Sequence, residues 1–449
     1  MTVASKFLTA RSFAHTRWRL NFRSRARLAA WQRQQLERFI RDILPQASRY
    51  RGRTVKALSD LPVMDKSVMM EDFAAGNTRG ITLEQALEVG LRAEEGRNFS
   101  PMLGDLTIGL SSGTSGNRGV FLASKSERLR WSGIMLARAL SRELLGRLLV
   151  PWSPRLRIAF FLRANSNLYT TLDSRRVAFS FYDLLDGVDN ALERLNEQSP
   201  DILVGPPALL CALAEEVRTH RLRIRPRQVI SVADVLEDHD ADLIIKAFGV
   251  IPDQLYQATE GFLGYTCESG GLHLNECFVH VEPEWLDDEH TRFQPIITDF
   301  SRDTQLIVRY RLNDVLKVSS DSCPCGRAEL ALDAIEGRAD EVLWFPSSQS
   351  GQAVAVYPDQ VRRAMILAGH VVREYEVVQS KMHVQIGLLP DGDKALAIQC
   401  VSDELNKLWT AMGVTRPSIG FSSWQPPEVG AKRRRIRIEA IPDGLQCTF

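Results

Sequence analysis

From about residue 105 the sequence alternates short apolar runs with longer amphipathic ones, and this alternation limits the fold more than any other feature of the chain. Strand candidates are Leu106–Leu110, Arg157–Leu162, Val177–Tyr182, Ile202–Val204 and Val229–Val232. Helical spacing fills Ser124–Leu145, Val188–Gln198, Ala208–His220 and Glu237–Phe248. Strands separated by helices need crossover connections and cannot pair as tight hairpins. The pattern therefore predicts an α/β core built on parallel strands.

At 449 residues the chain exceeds one compact core, so two or three domains are expected. A strand-rich stretch, 272–318, follows the α/β region, with two-residue alternation over Gln305–Arg311. The turn-forming run Phe345–Gly351 marks a boundary. The last hundred or so residues read as a small α+β domain that closes on the basic segment Ala431–Arg437.

A formal net charge of +1, with 25% charged residues, makes no case for a nucleic-acid or anionic-membrane partner. No apolar run approaches the roughly 20 residues of a membrane helix. The first residues lack the apolar core of a secretory signal, so the expected compartment is the cytoplasm. Seven cysteines without that signal read as reduced thiols or metal ligands, not as a disulfide framework. Residues 11–53 are rich in arginine, with apolar positions at helical spacing from Leu28 to Ile43. A helical cap with a solvated charged face is the expectation, and an RNA- or membrane-binding arm is the alternative.

The sharpest local signal is Ser111-Ser112-Gly113-Thr114-Ser115-Gly116-Asn117-Arg118-Gly119, between a strand candidate and a helical pattern. Its glycines let the backbone come close to an anion, and its hydroxyls and N–H groups can bond phosphate oxygens. No Gly-Lys-Ser/Thr ends it, so it is not a Walker loop, and it lacks the G-x-G-x-x-G spacing of a dinucleotide fingerprint.

This run resembles the phosphate loop of the adenylate-forming superfamily, and the branch it is most similar to is the phenylacetate–CoA ligase and coenzyme F synthetase group. The resemblance runs in order from about residue 59 to 440. It takes in Leu61-Pro-Val-Met-Asp-Lys66, Ala233-Asp-Val-Leu236, Tyr256-Gln-Ala-Thr-Glu-Gly261, Ile297-Thr-Asp299, Ile307–Asp314, Ile335-Glu-Gly-Arg-Ala-Asp340 and Gly430-Ala-Lys432. Asp234 stands where the superfamily usually has Glu.

The resemblance implies a large N-terminal domain, 1–340, with residues 1–58 as a helical cap, and a mobile C-terminal domain, 341–449, that pivots on Asp340. It implies that Ser111 through Gly116 hold ATP phosphates, that Asp234 and Tyr256, Gln257, Ala258 and Thr259 adjoin the adenine, that Asp314 binds the ribose, and that Arg338 meets the nucleotide. Glu260, a hard oxygen ligand, suits magnesium bridging the phosphates. Lys432 would neutralise charge where carboxylate attacks the α-phosphate, with Arg433 as the other register. The implied activity is activation of a carboxylic acid, aryl or medium acyl, to an acyl-AMP, followed by transfer to CoA, a carrier-protein thiol or an amine. Transfer of AMP onto a hydroxyl, as in coenzyme F synthetase, is the rival, and a catalytically inactive binding module is a more distant one. The sequence fixes neither the acid nor the acceptor, and a homodimer is compatible with it.

Cys267, His273, Cys323 and Cys325 form a second constellation, whose thiolate and imidazole groups are zinc's preferred ligands. Four of them leave no open position, which marks a structural site. Members of the resembled branch carry a comparable C…G-L-H…C-x-C-G-R pattern. Cys277 is a substitute ligand. Cys211, Cys400 and Cys447 are expected to be inert, in helix, strand and tail.

Overall fold

The computed structural model describes residues 3–95, 102–110, 119–162, 173–369, 371–426 and 434–445. The chain divides into two compact units. The first holds Met1–Pro283, Ile296–Leu312 and Val318–Asp333; the second holds Glu284–Pro295, Asn313–Lys317 and Ala334–Phe449.

The first unit is built on five parallel strands: β3 (Leu156–Leu162), β4 (Val177–Asp183), β5 (Ile202–Gly205), β6 (Gln228–Val232) and β7 (Asp253–Ala258). Their order is β7-β6-β5-β3-β4. Alternate residues serve opposite layers, as the two-residue period of a strand requires. Ile158, Phe160, Ile202, Val204 and Ile230 join Ile134 and Met135 of helix Lys125–Ala139 in one core. Ala159, Phe161, Leu203 and Val229 join Leu195, Leu213 and Ile244 of three crossover helices in the other. These helices, Asp189–Gln198, Pro207–Arg218 and Asp238–Phe248, fall where the helical spacing predicts them. The α/β expectation holds. Beyond β7 the sheet turns antiparallel through β8 (Gly261–Thr266) and β9 (Leu272–Leu274).

Two local expectations are corrected. The Ser/Gly run does not lead straight into a helix. Strand β1 (Thr107–Leu110) pairs antiparallel with β2 (Val120–Ala123), Leu110 opposite Val120, so the run joins two strands of a hairpin. Nor is Gln305–Arg311 a strand throughout. Only Tyr310–Arg311 pair in a ladder, while Thr304 through Val308 are all buried, the polar Thr304 and Gln305 included. This backbone lies between two segments: Ile307 O accepts from Asp299 N at 3.0 Å and Leu306 N donates to Gly76 O at 3.2 Å. With neighbours on both sides, polar Gln305 is buried as fully as Leu306.

The N-terminal cap is helical: Val3–Ala14, Arg25–Arg38 and two π-helical turns, His15–Arg19 and Phe39–Ile43. Its arginines are not all solvated. Arg17 Nη1 donates to Ala137 O and Leu140 O at 3.0 and 3.1 Å, capping the end of helix Lys125–Ala139. Arg23 donates to the Cys325 carbonyl, and Arg25 pairs with Glu276 at 2.6 Å. The crossing of the first helix is close, since a Cβ on Gly133 would meet Phe13 N at 2.9 Å.

The second unit is α+β. A four-stranded sheet runs Ser418–Ser423, His383–Pro390, Val372–Ser380, Ile436–Ala440, with helices Pro358–Leu367 and Lys394–Ala411. Trp409, Val401 and Leu405 of the longer helix pack on Val377, Val384 and Ile386. Cys400 thus lies in a helix, where a strand was expected. The turn-forming run 345–351 closes the hairpin of Leu343–Pro346 with Ala353–Val356, within this unit. Among the described residues no helix is long and apolar enough to cross a membrane.

Candidate active site and metal cluster

In the first unit a shallow open cleft is lined by Lys66, Gly119, Thr259, Glu260, Arg302 and Gln305, among others. Each arrives by a local rule. Lys66 opens helix Lys66–Glu71 because Asp65 caps it, accepting from Val68 N at 3.0 Å. The segment before it is fixed by Met64 N to Arg309 O, 2.8 Å, and Arg311 N to Met64 O, 2.7 Å. Arg309 itself sits at φ +44° and forks onto Glu282 at 2.9 and 3.1 Å. In the Arg309-Tyr310 pair of the resembled motif, the arginine is therefore a structural tie.

Thr259 and Glu260 form the two-residue turn between β7 and β8, with Ala258 opposite Gly261. The Thr259 hydroxyl donates to Glu260 Oε2 at 2.8 Å. That bond leaves Glu260 Oε1 without a hydrogen-bond partner among the described residues, a half-buried carboxylate oxygen of the kind a hard cation takes. Gln305 binds the strand that leaves the Ser/Gly run: Leu122 N donates to its Oε1 at 2.8 Å and its Nε2 donates to Val120 O at 3.2 Å. Lys66, Arg302 and Gln305 are cleft residues to which sequence reasoning gave no role. Lys66 lies in the resembled segment, whereas Arg302 had no signal beyond following Ile297-Thr-Asp299.

The nucleotide candidates fall in three groups. Ser111, Ser112, Gly113, Thr114, Ser115 and Gly116, with Lys432 and Arg433, lie outside the described residues. Tyr256 is buried, and Gln257, Ala258 and Thr259 are half-buried on β7 and its turn, beside Glu260. Asp234 follows β6. Its N–H bonds Val232 O at 2.9 Å across Ala233, whose φ is +73°, a three-residue turn of the rare positive-φ kind. Such strain concentrates at functional sites. Asp314 and Arg338 belong to the second unit with Asp340. There Asn313 Nδ2 donates to Asp340 Oδ1 at 2.8 Å, and Arg338 N donates to Glu341 Oε2 at 3.2 Å.

The ligand atoms of Cys267, His273, Cys323 and Cys325 all lie within 4.8 Å of one another. Cys267 Sγ is 3.5 Å from Cys323 Sγ, and Cys325 Sγ is 3.4 Å from His273 Nε2. Tetrahedral zinc with bonds of about 2.3 Å needs sulfur atoms about 3.7 Å apart. His273 Nδ1 lies 2.9 Å from Glu329 O, so it must donate, and the Nε2 lone pair is turned toward the thiols. Backbone N–H groups of Ser269 and Arg327 point at Cys267 Sγ and Cys325 Sγ, each at 3.4 Å. Gly271 makes the room, since a Cβ there would stand 2.8 Å from Cys323 Sγ. The donor set, spacing and tautomer fit zinc. Cys277 is not part of the group; its thiol donates to Glu329 Oε1 at 3.3 Å and burial pushes its pKa up.

Behind the cluster Glu329 is held on both oxygens: Arg138 Nη2 donates to one at 2.8 Å and Tyr265 OH to the other at 2.8 Å. Both ion-pair partners are buried, so removing either would strand a charge.

Against solved structures the chain aligns with 2-hydroxyisobutyryl-CoA ligase in the postadenylation state with R3-HIB-AMP, at TM-score 0.64 and 17% identity, over 92% of this chain and 88% of that one. The chain has the fold of the adenylate-forming superfamily. The same fold aligns with fatty acyl-adenylate ligases from E. coli and L. pneumophila at TM-score 0.50 and 11% identity, over 73% and 68% of the two chains. In sequence it is 27% identical over 118 residues to the phenylacetate-coenzyme A ligase of Thermus thermophilus, a match spanning 25% of each protein. The chain thus matches about a quarter of the length of that relative. No protein-family model matches.

Proposed function

We propose that the chain is an ATP-dependent adenylate-forming ligase that activates a carboxylic acid as an acyl-AMP and passes the acyl group to a thiol or amine, CoA among the candidates. The observation that carries the reading is the cleft itself. Glu260, on a two-residue turn and with one carboxylate oxygen uncommitted among the described residues, shares it with two cations, Lys66 and Arg302, and with Gly119, the last residue of the Ser/Gly run. Such a lining suits a polyphosphate with its metal ion.

In this reading Ser111 through Gly116 cradle the phosphates and Glu260 would hold magnesium, which screens phosphate charge when bound. Asp234 and Tyr256 through Thr259 adjoin the adenine, while Asp314 and Arg338 meet the ribose and nucleotide. Lys432, or Arg433 in the other register, would face the α-phosphate from a C-terminal domain, 341–449, that pivots on Asp340. None of these side chains is a covalent nucleophile; the chain positions the carboxylate and stabilises charge. Cys267, His273, Cys323 and Cys325 would hold structural zinc as a brace, because four protein ligands leave no position for substrate. The carboxyl ends of β5 and β6 lie side by side, Gly205 opposite Ser231, where parallel sheets take ligands. The apolar Val204-Gly-Pro-Pro207 and Val232–Leu236 segments there favour an aryl or medium acyl acid.

The test is trapping. With ATP, magnesium, hydroxylamine and a panel of carboxylic acids, the protein should release pyrophosphate and yield the hydroxamate of its acid. AMP attached to a hydroxyl compound, with no hydroxamate from any acid, would move the assignment to the coenzyme F synthetase type.

A further inference from the structure

The loop Asp299–Gln305 carries Arg302, whose charge offsets the burial of the Glu127 and Asp299 carboxylates while its guanidinium N–H groups turn to another segment. Arg302 Nη1 donates to Glu260 O at 3.1 Å, and Nη2 faces Thr259 O at 3.5 Å. These are the two carbonyls of the turn that presents Glu260. A two-residue turn leaves such carbonyls outside the strand ladder, and a planar guanidinium fork offers a pre-set pair of N–H groups to both. Among the described residues no carboxylate lies within ion-pair distance of Arg302. The nearby acids are committed elsewhere. Glu127 accepts from Ser124 N, Asp303 N and Thr304 N at 2.7, 2.7 and 2.9 Å, and Asp299 accepts from Ser301 N and Oγ at 2.9 and 2.6 Å. The flanking Asp303 pairs with Arg130 at 2.7 Å. Every neighbour in the loop is tied down, so the guanidinium is delivered to the turn from a fixed base.

The geometry points to Arg302 as the positioning residue for Glu260: it holds the Thr259–Glu260 turn by its carbonyls and so aims the carboxylate into the cleft. This rests on the reading of Glu260 as the magnesium ligand. The same loop grips β2 through Gln305, so one seven-residue segment registers the Glu260 turn against the strand leaving the phosphate run. Lysine would supply the charge and three donors, but on a flexible stem without the fixed fork geometry of the guanidinium.

The experiment is a double-mutant cycle on pyrophosphate exchange, read with magnesium titrations and thermal melts. Arg302→Gln should lower the exchange rate about 10- to 100-fold and raise the magnesium needed for half-activity about tenfold, while the melting temperature and the KM for the acid change little. Arg302→Lys should recover part of the loss. In a Glu260→Gln background Arg302→Gln should cost less than about threefold more, because it acts through a group already gone. Equal losses in both backgrounds, or a folded Arg302→Gln protein with wild-type magnesium dependence, overturn the inference alone. Unchanged exchange in Glu260→Gln overturns the reading of Glu260, and the inference with it. Should Arg302→Gln melt far below the parent, the cycle is run with Arg302→Lys, and an additive loss there is equally fatal.

Discussion

Arg434 Nη1 lies 3.3 Å from Asp340 Oδ2, and the other oxygen of that carboxylate takes Asn313 Nδ2 at 2.8 Å. Arg434 follows Lys432 by two residues, and its Nε is also 3.8 Å from Glu341. The aspartate proposed as pivot is thus tied, within one unit, to the segment that carries the proposed adenylation lysine. Arg434→Ala should loosen that segment and slow acid-dependent pyrophosphate exchange about 3- to 10-fold, whereas transfer from supplied acyl-AMP should persist. Lys432→Ala should show the same split far more strongly. Loss of transfer with intact exchange would mean that the residue serves the second step.

The metal prediction stands on Gly271 as much as on the ligands. Purified without chelators, the protein should carry about one zinc per chain, bound less tightly at low pH as thiolates and imidazole protonate. Cys325→Ser should lose the metal and melt lower. Gly271→Ala should lower zinc content with every ligand retained, because its Cβ would stand 2.8 Å from Cys323 Sγ. Elemental analysis below about 0.2 zinc per chain, in fully active protein, would reduce the cluster to buried thiols.

Asp253, at the start of β7, gives a pH prediction. Burial raises its pKa to about 6, against an opposing hydrogen bond from Gln228 Nε2 at 2.5 Å. A carboxyl raised above its unfolded value of about 3.9 binds its proton more tightly when folded. Its stabilising contribution is full below that value and is lost as pH rises through about 6. At pH 8 the charged group therefore costs up to about 3 kcal/mol. Asp253→Asn should be more stable than the parent by about 1–2 kcal/mol at pH 8, with no advantage below about pH 4. Denaturant melts across this range check the sign, and a variant less stable at pH 8 would refute it.

The parts of the fold that were legible are those governed by periodicity. Strands such as Leu156–Leu162 and helices such as Asp238–Phe248 lie within a residue or two of their apolar patterns. β2 is not legible in the sequence because four residues after a Ser/Gly run are too few to show alternation. Gln305–Arg311 departs from a strand because polar Gln305 is buried by its bonds to Val120 and Leu122, and polarity there is no guide to exposure. Glu260 and the Cys/His cluster were readable as residue types in a recognisable order. The groups that set their geometry were not. Arg302 stands 42 positions from Glu260 and Arg138 stands 191 from Glu329, and pairings of that range leave no mark on local spacing.

The central claim is tested most directly by exchange of labelled pyrophosphate into ATP, measured with and without carboxylic acids. Wild-type protein should exchange only with an acid present, should require magnesium, and should lose roughly 10²–10⁴ of that rate in Glu260→Gln, the loss of a few kcal/mol of transition-state stabilisation. Exchange indifferent to acid, or ATP binding with no exchange for any acid in a broad panel, would contradict it.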